Sequence, residues 1–499
     1  MRSAGILMHV SSLPSNYGIG TLGEAAYRFI DFLERGRQTY WQILPLGPTG
    51  FGDSPYQSTS TFAGNPYFID LERLQADGLL RKSEINGINW GSDPTAVDFS
   101  ILYRYRLNVL RLAYGRFAEN APEDFGRFVR ENQYWLEDYA LFMSLKHYFG
   151  DRTWTEWEEE IRFRRPDALA FWRKKLRDEI NFHCFLQYEF FHQWTQLTHY
   201  AHRHGIKIIG DIPIYVPMDS VDIWARPELF QLTEEYIPRR VAGCPPDSFN
   251  ADGQLWGNPL YDWEAMKRDG YRWWVERIGG LAKMVDVIRI DHFRGFESYW
   301  SVPYGEKTAR NGKWVKGPAM DLIRTFQRAY PDLRFIAEDL GFLTPEVIKM
   351  VSDSGFPGMK VLEFAFDDRE TGNYLPHTYP RHCVCYTGTH DNETLAQWLN
   401  SLPPERLNYA IRYLGLNTEE GYAAGVIRGG MSSAADLFVA QMQDYLGLGA
   451  QTRMNIPGKL CAQNWRWRAE KGQITPELAD RIAVMVRTFC RCPGSAQAL

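Results

Sequence analysis

The chain has 499 residues, a formal net charge of −5 and 44% hydrophobic residues. Charges of both signs are mixed along it and leave no positive field for a phosphate backbone, which argues against a nucleic-acid partner. No apolar run is long enough to span a bilayer, so a membrane-spanning role is also set aside.

The first apolar run covers residues 4–9, after an N-terminus with one basic residue and too short an apolar stretch for a signal peptide. A helical pattern follows over 24–35, then a second apolar run over 41–46. From 74 to 200 no convincing buried strand occurs. That stretch predicts an all-helical insertion, with helices over 101–117, 136–147 and 169–199 and a solvated helix over 154–160 stapled by tryptophan. The third apolar run is 206–212, and a second insertion, 220–263, is rich in Pro, Gly, Asn and Trp and reads as a loop. The remaining apolar runs are 287–290, 334–337, 360–364, 384–386 and 437–440, with helical patterns over 270–283, 320–329 and 345–354 between them. The last dozen residues, containing Pro493-Gly494-Ser495, look frayed.

Eight buried strands alternating with amphipathic helices predict an α/β fold with parallel strands, closed as a (β/α)8 TIM barrel with large helical and loop insertions. Length alone would suggest several domains, but such barrels exceed ~400 residues by insertion, so residues 1–499 are read as one elaborated barrel. Active sites of this fold form from the loops after the strands, which sets the 220–263 insertion over the site.

Carboxylates gather at those strand ends. The fourth strand runs into Asp291, with Arg289 two residues earlier and therefore on the same side. An adjacent arginine keeps an aspartate ionised, as a nucleophile requires; a purely structural Arg–Asp pair is the plain alternative. The fifth strand ends at Glu338, where partial burial would raise the carboxyl pKa and keep it protonated. A helix-capping role fits Asp339 better than Glu338. The seventh strand leads to His390 and Asp391, and Asp391 alone could be a helix cap. The third strand ends with Asp211. Four acids at one barrel mouth are costly unless function needs them. A carboxylate nucleophile paired with a carboxylic acid is the apparatus of retaining glycoside chemistry, at a separation of about 5–5.5 Å. The 17 Trp, 27 Tyr and 29 Phe supply rings on which sugar faces stack. Seven scattered cysteines, without C-x2-C spacing, fit reduced thiols in a cytoplasmic protein.

Longer motifs carry a resemblance. Arg289-Ile290-Asp291-His292-Phe293-Arg294-Gly295 resembles the nucleophile segment of the α-amylase clan. Cys244-Pro245-Pro246-Asp247-Ser248-Phe249, continuing through Gly253-Gln254-Leu255-Trp256-Gly257-Asn258-Pro259-Leu260-Tyr261, resembles the long loop of amylomaltases, family 77 of the glycoside hydrolases. Asp53-Ser54-Pro55-Tyr56-Gln57-Ser58, Gly64-Asn65-Pro66-Tyr67, His9-Val10-Ser11-Ser12-Leu13-Pro14, the 443–449 segment and Arg453-Met454-Asn455 are similar to the same family. The resemblance spans essentially the whole chain. It implies a 4-α-glucanotransferase that moves α-1,4-glucan segments between maltooligosaccharides, with glucose as an acceptor. Asp291 would be the nucleophile, Glu338 the acid/base and Asp391 the transition-state stabiliser. Arg289 would orient Asp291, His390 and Asp211 would bind the same sugar, and Tyr56 would stack under it. Trp256 and Asn258 would touch the glucan from the long loop, and Asp367 would be a further contact. Ser248 stands where relatives often carry a bulkier residue. Two carboxyls suffice for this chemistry, so neither cofactor nor metal is implied.

Transfer rather than hydrolysis rests on the resemblance and not on spacing, so an α-amylase-like retaining hydrolase of α-1,4-glucans is the alternative. A metal-dependent hydrolase using Asp211, His292, His390 and Asp391 is disfavoured. The first strand offers only His9, and Asp291 and His292 would point to opposite faces of a continuing strand. A non-catalytic glucan binder fits an intact acid set poorly.

Overall fold

Each short apolar stretch is followed by chain that returns to the same end of the sheet, and this makes the strands parallel. The computed structural model describes residues 2–246, 250–341, 343–366 and 374–492. In chain order the strands are β1 (Ser3–Leu7), β2 (Tyr40–Gln42), β3 (Lys207–Ile212), β4 (Arg240–Cys244), β5 (Gln254–Pro259) and β6 (Val287–Ile290). They continue with β7 (Ser298–Pro303), β8 (Lys313–Lys316), β9 (Arg334–Ala337), β10 (Gly358–Val361), β11 (Cys383–Tyr386) and β12 (Leu437–Gln441). Eight form one sheet in the order β10-β11-β12-β1-β2-β3-β6-β9, with every pairing parallel. Its two edges meet. Ala337 N–H donates to the Pro357 carbonyl at 3.0 Å, and Met359 N–H donates to the Asp339 carboxylate at 2.7 Å. The fold is the expected (β/α)8 barrel. Asp339 therefore closes the barrel seam, whereas Thr344 caps the next helix, Pro345–Ser354.

The strands sit slightly off their expected bounds. β1 stops at Leu7 because His9 turns into a short 3-10 helix, Val10–Ser12, and its buried ring accepts the Leu44 N–H at 3.3 Å. β2 spans only three residues, with Pro45 and Pro48 unable to donate to a ladder. β10 ends at Val361 and passes into a 3-10 turn, Leu362–Phe364. Gly5 in β1 is obligatory, since a Cβ there would stand 2.9 Å from the Tyr40 carbonyl oxygen.

Between β2 and β3 the described chain is helical, including Phe99–Glu119, Gln133–Tyr148, Pro166–Lys175 and Arg177–Arg203. The single helix expected over 169–199 is two, broken at Leu176 (φ −103°, ψ 20°). The solvated helix expected over 154–160 does not form. A 3-10 turn, Trp154–Glu156, and a separate helix, Glu159–Arg162, flank an extended Trp157. Burial outweighs the local charge pattern there: Trp154 and Trp157 are 0% and 3% exposed, and the Trp154 indole donates to the Met218 carbonyl at 2.7 Å.

The segment read as a loop after β3 contributes β4 and β5. With β7 and β8, which follow the fourth barrel strand, they make an antiparallel sheet in the order β5-β4-β7-β8. A register shift between Val241 and Gly243 interrupts the alternation that would have marked β4 as a strand. The frayed end expected beyond Pro493 lies outside the described residues. No described helix is long and apolar enough to cross a membrane.

Trp194 ties the helical segment to the barrel. It is 1% exposed and its indole donates to the Met284 carbonyl, just before β6, at 3.0 Å. Trp194→Ala should cost about 3–5 kcal/mol in denaturant or thermal unfolding. A loss below about 1 kcal/mol would show that this contact is not part of the core.

Candidate active site

The site begins with register. β6 lies between β3 and β9, which aligns Asp211, Arg289 and Ile336 across three strands. Arg289 is 2% exposed, and its guanidinium reaches three carboxylates. One terminal nitrogen, Nη1, donates to both oxygens of Asp211 at 2.7 and 2.6 Å and to Asp291 Oδ1 at 3.1 Å. The other, Nη2, donates to Glu338 Oε2 at 2.8 Å. The strand itself ends at Ile290. Asp291 N–H still bonds the Ile212 carbonyl at 3.0 Å, but His292 is left-handed (φ 50°, ψ 45°). That conformation costs on the order of 1–3 kcal/mol for a non-glycine residue. It aims the His292 N–H at Glu338 Oε2, 2.9 Å away. It also brings Asp291 and His292 to the same cavity, so the opposite-face argument from a continuing strand does not hold.

One cation cannot neutralise three crowded acids, of which Asp211 is buried and Asp291 and Glu338 are partly buried. Burial, then the neighbouring Glu338 charge, push the Asp291 carboxyl well above the usual carboxylate range, against the pull of Arg289. Burial acts the same way on Glu338, but Arg289, the hydrogen bond with Asp291 and the His292 N–H outweigh it and hold Glu338 below its ordinary value. Asp291 is thus the more readily protonated of the two and Glu338 the more readily ionised. Sequence reading has the order reversed, with Glu338 protonated. Arg289 is the reason for the difference, because it pairs with Glu338 at shorter distance than with Asp291. His292 is lowered to about 4 by burial and is neutral at pH 7.

A second chain of contacts leads from Asp211 to Asp391. Tyr56 OH donates to Asp211 Oδ2 at 2.6 Å and lies 3.3 Å from His390 Nδ1. The hydroxyl proton is used on Asp211, so the Tyr56 oxygen is free to accept from His390 Nδ1. His390 Nε2 stands 3.3 Å from Asp391 Oδ1. Asp391 does not cap a helix; Thr394 caps Leu395–Ser401. Instead Asn455 Nδ2 donates to Asp391 Oδ1 at 2.6 Å and Arg453 Nη2 to its carbonyl at 2.6 Å.

These groups surround a cavity of about 250 Å³ lined by Tyr56, Trp256, Asn258, Asp291, His390 and Asp391, among others. Asp211, Arg289 and Glu338 sit behind the Asp291 wall. Of the residues expected at the site, nine are brought together, and Asp367 lies outside the described residues, as does Ser248. A larger cavity of about 370 Å³, against Asn16, Glu72 and Lys471, holds none of the linked carboxyls. Among the described residues no group of three or more His, Cys, Asp or Glu is arranged to hold a metal ion.

Sequence reading missed Trp465 and Tyr215. Trp465 lines the cavity, 5.7 Å from the Tyr56 ring and 5.8 Å from His390. Its backbone is left-handed (φ 67°), strained for so bulky a residue, and is held by a 2.7 Å bond from its N–H to the Met454 carbonyl. It follows the last barrel strand, where no periodic pattern marks it. Tyr215 lies just beyond β3 and lines the same wall; its place after an acid-ended strand was the available signal.

A closed barrel whose C-terminal face gathers coupled carboxyls beneath aromatic rings defines a barrel enzyme of the glycoside hydrolase kind. The profile of one such family, described as 4-alpha-glucanotransferase, matches residues 8–474. A 4-alpha-glucanotransferase of Clostridium butyricum is 48% identical over 97% of this chain and 100% of its own length. The 4-alpha-glucanotransferase of Thermus thermophilus is 44% identical over 97% and 98%. Among solved structures, an amylomaltase from Streptococcus agalactiae in complex with acarbose superposes with a TM-score of 0.96 at 40% identity, covering 99% of this chain and 100% of that one. The chain belongs to the 4-alpha-glucanotransferase family, glycoside hydrolase family 77.

Because the Glu338 charge raises Asp291, its removal must lower Asp291. In Glu338→Gln, the Asp291 titration should fall. Carboxyl-¹³C NMR of aspartate-labelled protein reads it, with Asp291→Asn for assignment. An unmoved or rising titration would mean that the two groups do not share a proton.

Proposed function

We propose that this chain is a 4-alpha-glucanotransferase that passes α-1,4-glucan segments from a maltooligosaccharide donor to the 4-hydroxyl of glucose or another glucan. The observation that carries the reading is the Asp291–Glu338 pair, bridged by one guanidinium, with Asp291 lining a cavity walled by aromatic rings. The reactive form has an ionised Asp291 and a neutral Glu338; a proton carried on Asp291 reaches it by moving to Glu338, at the same total charge. Glu338 then protonates the leaving glycosidic oxygen while Asp291 bonds the anomeric carbon, and a glycosyl-enzyme forms. In the second half Glu338 takes the proton of the acceptor hydroxyl, the acceptor oxygen attacks the anomeric carbon, and Asp291 leaves. Retention follows from two inversions.

Arg289 holds both carboxyls and disperses the negative charge on Asp291 as it leaves. Asp391, half-exposed beside His390, is the group we assign to the sugar hydroxyls of the transition state. Asp211 and Tyr56 fix that corner of the site, and Trp256 and Asn258 line the same cavity as Tyr56. Asp367 is retained as a further substrate contact from the family resemblance. Segments 74–200 and 220–263 are elaborations of the one barrel in this reading, and the free cysteines favour the cytoplasm.

Transfer wins over hydrolysis when a sugar acceptor is held and water is kept out. Trp256, Tyr215 and Trp465 offer ring faces for that acceptor around the cavity. The family relatives carry the transferase name, and the acarbose complex of the Streptococcus agalactiae relative fits a site of this kind.

Incubation with maltotriose should release glucose and build longer oligosaccharides without a net gain of reducing ends. A steady rise in reducing ends would identify a hydrolase instead. Asp291→Asn should lose turnover by about 10⁴-fold or more, as removal of a nucleophile does. Glu338→Gln should fail on glucans yet keep much of its glycosylation rate on α-glucosyl fluoride, whose leaving group needs no acid. Equal losses on both donors would remove Glu338 as the proton donor.

A further inference from the structure

The loop from β11 to the helix Leu395–Ser401 carries His390 and Asp391 to the barrel mouth. Its two ends are joined underneath by a side chain that takes no part in the chemistry above. Asp444 lies in the short helix Met442–Tyr445, which follows β12 directly, and is 3% exposed. Its Oδ2 accepts the Thr387 hydroxyl at 2.6 Å, where the loop starts. Its Oδ1 accepts the Leu395 N–H at 2.8 Å, where the loop ends. Leu395 is the first residue of its helix, so that N–H has no carbonyl within the helix to bond and needs an acceptor from elsewhere.

The neighbours of Asp444 act on the same loop. Gln441 Nε2 donates to the Glu393 carbonyl at 3.1 Å, and the Gln441 N–H reaches the Thr387 hydroxyl oxygen at 3.4 Å. Below the loop lies Glu363, 8% exposed, whose Oε1 finds no partner among the described residues. Gly388 sits against that oxygen so closely that a Cβ there would be 2.7 Å away. The loop is therefore seated on a buried acidic floor, and Asp444 bonds both of its ends.

We propose that Asp444 is a positioning residue for the transfer reaction. Its carboxylate fixes the span of residues 387–395 and so sets where His390 and Asp391 stand against the sugar. The inference rests on the role assigned to Asp391 under the proposed function. The geometry also says which substitution should be tolerated. In Asp444→Asn the amide oxygen can accept the Leu395 N–H while the amide nitrogen donates to the Thr387 oxygen, so both ends remain tied. Asp444→Ala leaves both loose and the Leu395 N–H buried without a partner.

A double-mutant cycle on maltotriose tests this. Asp444→Ala should lower kcat by about ten- to a hundredfold, the scale of an ångström of misplacement. KM should stay within about threefold, and Asp444→Asn should recover turnover to within about threefold of wild type. In an Asp391→Asn background, Asp444→Ala should add less than about threefold, because the group it positions has gone. Thr387→Val, which removes one of the two ties with little change of volume, is carried through the same cycle in case Asp444→Ala does not fold. Full additivity with Asp391→Asn, or wild-type kcat in both variants, would overturn the proposal. Wild-type turnover in Asp391→Asn alone would overturn the role of Asp391 first, and this proposal with it.

Discussion

One guanidinium organises this molecule's chemistry. Arg289 is buried inside the fourth barrel strand and touches Asp211, Asp291 and Glu338 at once. Like charges about 4 Å apart repel by about 4 kcal/mol at an effective dielectric near 20. Without Arg289 the three acids could not share the space. With it, the cluster still has more acid than cation, and the excess raises Asp291 well above the usual carboxylate range. The arrangement is set by strand register, because Asp211 and Arg289 are paired residues of adjacent strands.

The resting polarity of the pair shows how stability and chemistry are balanced. Arg289 and the His292 N–H both converge on Glu338 Oε2, so the unliganded protein stabilises an ionised Glu338. Catalysis asks for the opposite distribution. The two states differ only by the position of one proton along a hydrogen bond, and they carry equal net charge. In the proposed mechanism a donor glycosidic oxygen beside Glu338 would supply an acceptor that only a protonated Glu338 can serve, and an anomeric carbon beside Asp291 would favour the ionised aspartate. Substrate entry would then select the reactive form. The strained turn at His292 is part of this balance, since it aims the N–H that keeps Glu338 ionised at rest.

Most of the barrel was legible because buried parallel strands are short, apolar and punctuated by polar or glycine-rich turns. Each of the eight runs became a strand, displaced by a few residues where proline or a 3-10 turn intervened. The acids were legible for the same reason: Asp211, Asp291, Glu338 and Asp391 each follow an apolar run and so emerge at one face. Proton placement was not legible, because it depends on which oxygen Arg289 reaches. The antiparallel sheet of β4, β5, β7 and β8 was hidden as well. Its strands come from two separate excursions, and a register shift breaks the alternation in β4. Trp154 and Trp157 misled local reading because acidic neighbours suggested solvent, while tertiary packing drew both indoles inward. The frame that Asp444 makes under the Asp391 loop was similarly invisible, since it links residues 57 and 49 positions apart.

The labour of the site is divided by position in the chain. Barrel strands supply the charged groups, whose spacing is fixed by a hydrogen-bonded ladder. Chain beyond the last strand supplies the parts that hold the mouth: Arg453 and Asn455 grip Asp391, and Trp465 closes against Tyr56 and His390. Rigid groups are needed where a bond is made, because a misplaced carboxyl loses the anomeric carbon. The mouth has other demands on it, since a polymer must enter and one product must be exchanged for an acceptor before water arrives. The aromatic rings lining the cavity would meet them in the proposed function, because ring faces bind sugars with little directional demand. The transferase reading rests on the family and fits this division. The barrel alone supplies a hydrolase's apparatus, and it is the aromatic mouth that would let a sugar hydroxyl reach the intermediate ahead of water.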